Sequence, residues 1–154
     1  MKKTIFISLF IITITIGCST QYKKMDKKYG YTDEKINDGL YQITFKGNSR
    51  TSDELVHKYF LRRSAEVALK NRYQYFTVVE TEDITQHTTV TSAGVPATKA
   101  RLKTYTYSGD IKYTPTEYKT IHNHALTGKI QLHKEGEQPM NAYSVEKILK
   151  DVKL

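Results

Sequence analysis

Three histidines carry the metal chemistry that the spacing of this chain suggests. His122 and His124 stand two residues apart in a run that reads as a strand. Their side chains would then share one face about 7 Å apart, from which two imidazoles can hold one zinc or copper ion. His133 lies on the next strand segment, beyond Thr127-Gly128, and is the third candidate nitrogen. The sequence places no carboxylate or thiol beside them, and exposed histidines on a polar strand face are ordinary. The expectation is therefore a chain without a resident cofactor, with metal binding by His122, His124 and His133 as the alternative.

Other catalytic constellations lack their parts. No serine occupies a Gly-x-Ser-x-Gly elbow, and the glycines at Gly47 and Gly94 are not followed by the lysine a phosphate loop needs. His122-Asn123-His124 is not an HNH nuclease signature, because the metal-binding and catalytic residues of such enzymes lie on separate structural elements. Glu80, Glu82 and Asp83 read as a solvated turn. The chain is accordingly read as a non-enzyme.

The one cysteine, Cys18, follows Met1-Lys2-Lys3 and a mostly apolar run from Thr4 to Ile16. This is the charged start, apolar middle and small-residue end of a secretory signal. The run of about 13 residues is shorter than the roughly 20 that span a bilayer. Thr15-Ile16-Gly17-Cys18 resembles the lipobox of bacterial lipoproteins. That resemblance implies cleavage before Cys18, acylation of its sulfur and, with Ser19 next, an outer-membrane destination facing the periplasm. Cys18 then serves as a lipid attachment point, and two or three acyl chains hold where one would not. The mature chain has no other thiol, so no disulfide supports the fold.

Removing residues 1–17 leaves a length suited to one domain. The net charge of +8 falls to +6 once Lys2 and Lys3 are lost with the signal. A basic envelope protein meets anionic headgroups and wall polymers before nucleic acid, so the expected partners are the membrane and envelope proteins or peptidoglycan, not nucleic acid. Of the 12 tyrosines, Tyr105, Tyr107, Tyr113 and Tyr118 lie among Arg101, Lys103 and Lys112, a mixture suited to a binding face as well as to a wet sheet.

Positioning these groups requires a single domain. Residues 18–38, rich in Lys, Asp, Gly and Tyr, read as a flexible, lipid-anchored tether, and residues 39–154 as the folded part. Leu40 to Phe45 alternates as a strand. Thr51 with Glu54 reads as a capping box opening a helix from Ser52 to Lys70, with Leu55, Val56, Tyr59, Phe60, Val67 and Leu69 as its apolar face. Arg63 and Glu66 fall on the same stripe and predict a partly desolvated structural ion pair. Asn71 reads as a left-handed terminator. Strands are expected over Tyr73–Val79, Ile84–Thr91, Lys99–Tyr107, Glu117–Ala125 and Lys129–His133, with turns at Ser108-Gly109-Asp110 and Thr127-Gly128. A short helix, capped by Asn141, carries Val145, Ile148, Leu149 and Val152 on one face. Short links favour antiparallel pairing, so the fold class is α+β: one mostly antiparallel sheet covered by a long helix and a short C-terminal helix.

Phe45-Lys46-Gly47-Asn48, Arg63-Ser64-Ala65-Glu66 and Tyr73-Gln74-Tyr75-Phe76 occur in the order and spacing of an uncharacterised family of bacterial lipoproteins, which the chain resembles from Asp38 to Glu80. Members combine a lipobox signal with F-x-G-N, a helical R-A-A-E and an aromatic strand preceded by Gly. Here Ser64 replaces an Ala, and Arg72 stands at the Gly. The resemblance implies a secreted, lipid-anchored domain. It brings no catalytic residues, since the family has no established reaction.

Overall fold

The computed structural model describes residues 18–91 and 118–153. The expected strand over 99–107, the loop and turn on either side of it, and Tyr105, Tyr107 and Tyr113 lie outside them, as do the signal residues 1–17. Among the described residues no helix is long and apolar enough to cross a membrane.

Strict alternation makes the centre of the sheet. β2 (Leu40–Lys46) buries Tyr41, Ile43 and Phe45 and turns Gln42, Thr44 and Lys46 the other way. β6 (Ala125–His133) does the same with Leu126, Gly128, Ile130 and Leu132 against Thr127, Lys129, Gln131 and His133. β2 and β6 pair antiparallel, and β3 (Tyr75–Asp83) flanks β6 on its other side, also antiparallel. β1 (Gly30–Asn37) and the two-residue β7 (Tyr143–Ser144) close the edges, giving the order β1-β2-β6-β3-β7.

β4 (Gln86–Thr91) and β5 (Tyr118–Asn123) form a separate antiparallel pair that prolongs the β3/β6 ribbon. At the joint, the Ile84 N–H donates to the Ala125 carbonyl at 2.9 Å and the Ala125 N–H to Thr85 Oγ1 at 3.2 Å. Thr127-Gly128 is not a turn: β6 runs straight through it, and the chain breaks at His124 instead. Gly128 is needed there because a Cβ would stand 2.7 Å from the Glu80 carbonyl and 2.9 Å from the Phe60 ring.

α1 (Asp53–Lys70) covers the apolar face of the sheet, burying Val56, Phe60, Ser64, Ala65, Val67 and Ala68. Small residues make the closest approach, which turns Leu69 outward to 59% exposure in place of the inward position its spacing suggested. Ser64 meets the core at no polar cost, since its hydroxyl donates to the Phe60 carbonyl at 2.9 Å. The cap is Ser52, whose Oγ accepts from the Leu55 N–H at 3.3 Å. Thr51 is not the cap because its hydroxyl is engaged with Asn48, and Glu54 pairs with Lys58 at 2.7 Å rather than returning to a capping box.

The helix ends in a Schellman arrangement, with the Tyr73 N–H donating to the Ala68 carbonyl and the Arg72 N–H to that of Leu69. The left-handed residue is Arg72, at φ 64, not Asn71. Asn71 caps with its side chain instead, donating to the Val67 carbonyl at 2.7 Å and accepting from the Tyr41 hydroxyl at 3.0 Å. α2 (Val145–Asp151) is capped by Ser144 rather than Asn141, and packs Val145, Ile148 and Leu149 against the core. The architecture is α+β, a mostly antiparallel sheet with one long and one short helix over it.

One boundary differs from the expectation. The polar composition of residues 18–38 suggested a tether, yet Gly30–Asn37 pairs along β2 and Thr20 is buried. An edge strand needs only one apolar neighbour face and can be almost wholly polar, which hides it from a hydropathy reading. Residues 23–31 fold back on themselves, the Met25 N–H donating to the Tyr31 carbonyl and the Tyr31 N–H to that of Lys23.

Candidate functional site

The ion pair expected on α1 forms and is the centre of a larger clasp. Arg63 Nη1 reaches Glu66 Oε2 at 2.9 Å, with side-chain exposures of 17% and 25%. Its Nε and Nη2 donate to Asp33 Oδ1 on β1 at 3.0 and 2.7 Å. Glu66 also accepts from Arg62 Nε at 3.1 Å and from the Tyr22 hydroxyl at 2.6 Å. Arg63 lies 4.2 Å from the Tyr31 ring centroid, and Arg62 lies 5.6 Å from that of Tyr22. Two cations and two carboxylates neutralise one another, so the half-buried group is satisfied within the chain. It binds the N-terminal segment to the helix.

Electrostatics agree with that arrangement. Burial disfavours the Arg63 cation, but the hydrogen bonds and charges of Asp33 and Glu66 outweigh it and hold the guanidinium more firmly protonated than usual. Burial first, then the bond to Glu66, raises the Tyr22 phenol well above its ordinary value.

Cys18 sits at the far end of the same segment. It is exposed, and its carbonyl accepts from Asn48 Nδ2 at 3.3 Å. Two residues on, the Thr20 N–H donates to Thr51 Oγ1 at 2.8 Å and Thr20 Oγ1 accepts from the Asn48 N–H at 2.8 Å. The Gly47–Thr51 turn, placed by β2 before and α1 after it, thus holds the chain where it emerges from Cys18. Lys27, Lys28 and Lys46 line a hollow of about 120 Å³ with Gly47, Gln86 and Asn123.

The histidines divide differently from the expectation. His122 and His124 lie near each other with rings 6.1 Å apart and almost parallel. His133 does not join them. It is nine residues further on, at the other end of β6, roughly 30 Å away at about 3.3 Å per residue. There Nε2 is 3.0 Å from Thr77 Oγ1. Because β6 is unbroken at Gly128, the turn that would have brought His133 back does not exist. His87 takes its place: it faces His122 across β4 and β5, and their Nδ1 atoms are 2.8 Å apart. Among the described residues no three His, Cys, Asp or Glu side chains converge as a ready metal site.

Glu80, Glu82 and Asp83 are part of β3 rather than a turn, and Glu80 is paired with Lys129 at 2.6 Å. Glu80 and Glu82, but not Asp83, border a trough of about 430 Å³ on the sheet face away from the helices, with Gln42, Thr127 and Lys129.

Sequence reasoning missed His87, Asp33 and Tyr22. His87 carries a signal only once β4 and β5 are put in register. Asp33 and Tyr22 stood in a segment whose composition reads as linker, although the aromatics Tyr22, Tyr29 and Tyr31 within it were a sign of packing. No protein-family model, no curated protein and no solved structure matches the chain.

Proposed function

We propose that this protein is a non-enzymatic cell-envelope lipoprotein, held by acylated Cys18 at the outer membrane and facing the periplasm, where its α+β domain binds envelope proteins or peptidoglycan. The observation that supports this reading is that the chain next to Cys18 is held against the domain. Asn48 donates to the carbonyl of Cys18, and Thr20 is buried. The cysteine itself is exposed. Lys27, Lys28 and Lys46, which line the hollow at Gly47, suit anionic headgroups, at about 1 kcal/mol for each near a charged surface.

Metabolic labelling with a fatty-acid analogue tests the anchor. The full chain is expected to take up label and to fractionate with membranes, and Cys18→Ala is expected to lose both. Label retained by Cys18→Ala, or none on the parent chain, sinks the assignment. Crosslinking in intact cells tests the binding role: adducts at the wild-type position that disappear with the domain surface mutated support it, and a background-level pattern argues for a purely structural module.

A further inference from the structure

We infer that His87 and His122 form a two-nitrogen chelate for a divalent transition metal, with copper(II) its preferred ion. The proposal is independent of the lipid-anchor reading. His87 and His122 are direct partners in the β4/β5 register, each fixed on its own strand, so their spacing is set by backbone pairing rather than by chance meeting of long side chains. Their rings meet edge-on, 4.8 Å between centroids and 86° between planes, with Nδ1 facing Nδ1 at 2.8 Å.

That distance is the length of a hydrogen bond between the rings, and the strand register keeps the two nitrogens within reach of one ion. Divalent affinities for nitrogen sites peak at copper.

In the metal-free arrangement one Nδ1 donates its proton to the other. Coordination requires that ring to carry its proton on Nε2, so the shared proton is exchanged through water and both imidazoles bind as neutral ligands, with no net loss from the protein. Both side chains are exposed, which leaves them free to turn their lone pairs to a common point and leaves water to complete the coordination shell. His124 stacks on His122 with 6.1 Å between ring centroids, the nearest further imidazole to the pair. Asp83, four residues before His87, is held ionised below the usual carboxylate range by the Thr85 hydroxyl and N–H.

The test is copper(II) titration of the full chain, purified in detergent without a histidine tag, read by electron paramagnetic resonance and by calorimetry with nickel(II) and zinc(II) for comparison. The expected result is one ion per chain with nitrogen hyperfine structure from two imidazoles, and the order copper above nickel and zinc. His87→Ala and His122→Ala are each expected to weaken binding at least tenfold, and His124→Ala by less, whereas His133→Ala and His57→Ala leave it unchanged. Circular dichroism checks that each variant is folded. Wild-type affinity in the His87→Ala, His122→Ala double variant overturns the proposal. So does an equal loss in His133→Ala or His57→Ala, or the absence of stoichiometric binding by the parent chain.

Discussion

Tyr22 donates its phenolic hydrogen to Glu66 at 2.6 Å, joining positions 44 residues apart in the chain. That bond ties a segment of linker-like composition to the principal helix. Arg63 completes the attachment from the opposite side, since it holds Asp33 of β1 with one edge of its guanidinium and Glu66 with the other. Residues 20–37 are consequently part of the domain.

Glu66→Ala is expected to destabilise the fold by about 1–3 kcal/mol, because it leaves Arg62 and Arg63 half-buried with one carboxylate fewer and removes the acceptor of Tyr22. Partial solvent access keeps the figure below that of a fully buried pair. Urea denaturation gives the magnitude, and hydrogen exchange should show the loss concentrated in residues 20–37. A uniform change along the chain would refute the clasp.

Alkaline pH should loosen the same attachment. The folded phenol of Tyr22 has its pKa raised above the ordinary 10.0, so its contribution to stability is whole below pH 10. It is lost as the pH rises further, because the unfolded chain gives up a proton that the folded one retains. Tyr22→Phe is expected to cost about 1–2 kcal/mol at neutral pH through the lost bond to a charged acceptor. Above pH 10 its stability should fall less steeply than the parent's, by up to about 1 kcal/mol per pH unit. Parallel slopes for the two proteins would contradict the raised phenol.

Gly128→Ala should destabilise by about 1–3 kcal/mol, since the new methyl meets the Glu80 carbonyl and the Phe60 ring in the middle of the sheet. Thermal or urea melts measure it. Pairing the change with Phe60→Leu should recover part of the loss; if Gly128→Ala is neutral alone, β6 does not approach α1 as closely as described.

The legible part of the fold was that in which hydrophobic period and geometry coincide. Tyr41, Ile43 and Phe45 announce β2, and Val145, Ile148 and Leu149 announce the face of α2. The Arg63–Glu66 pair was legible for the same reason, as two charges on an apolar helical stripe. What escaped depends on pairing. β1 is polar because an edge strand has little to bury. Gly128 reads as a turn in one dimension and as a contact with Phe60 in three. Arg72 takes a left-handed conformation because its neighbours complete the helix-terminating hydrogen bonds, although Asn71 is the better residue for it on propensity. His87 could be joined to His122 only by knowing the register of β4 on β5.

The bond between Asn48 and the Cys18 carbonyl changes how far this molecule can search. A domain on a leash of twenty residues would sweep a volume tens of ångströms deep. Were Cys18 acylated as proposed, the bonds from Asn48 and Thr51 to residues 18–20 would hold the domain close to the bilayer and limit the sides it presents. Encounters with partners would then be governed by lateral diffusion and by which face of the sheet is turned outward.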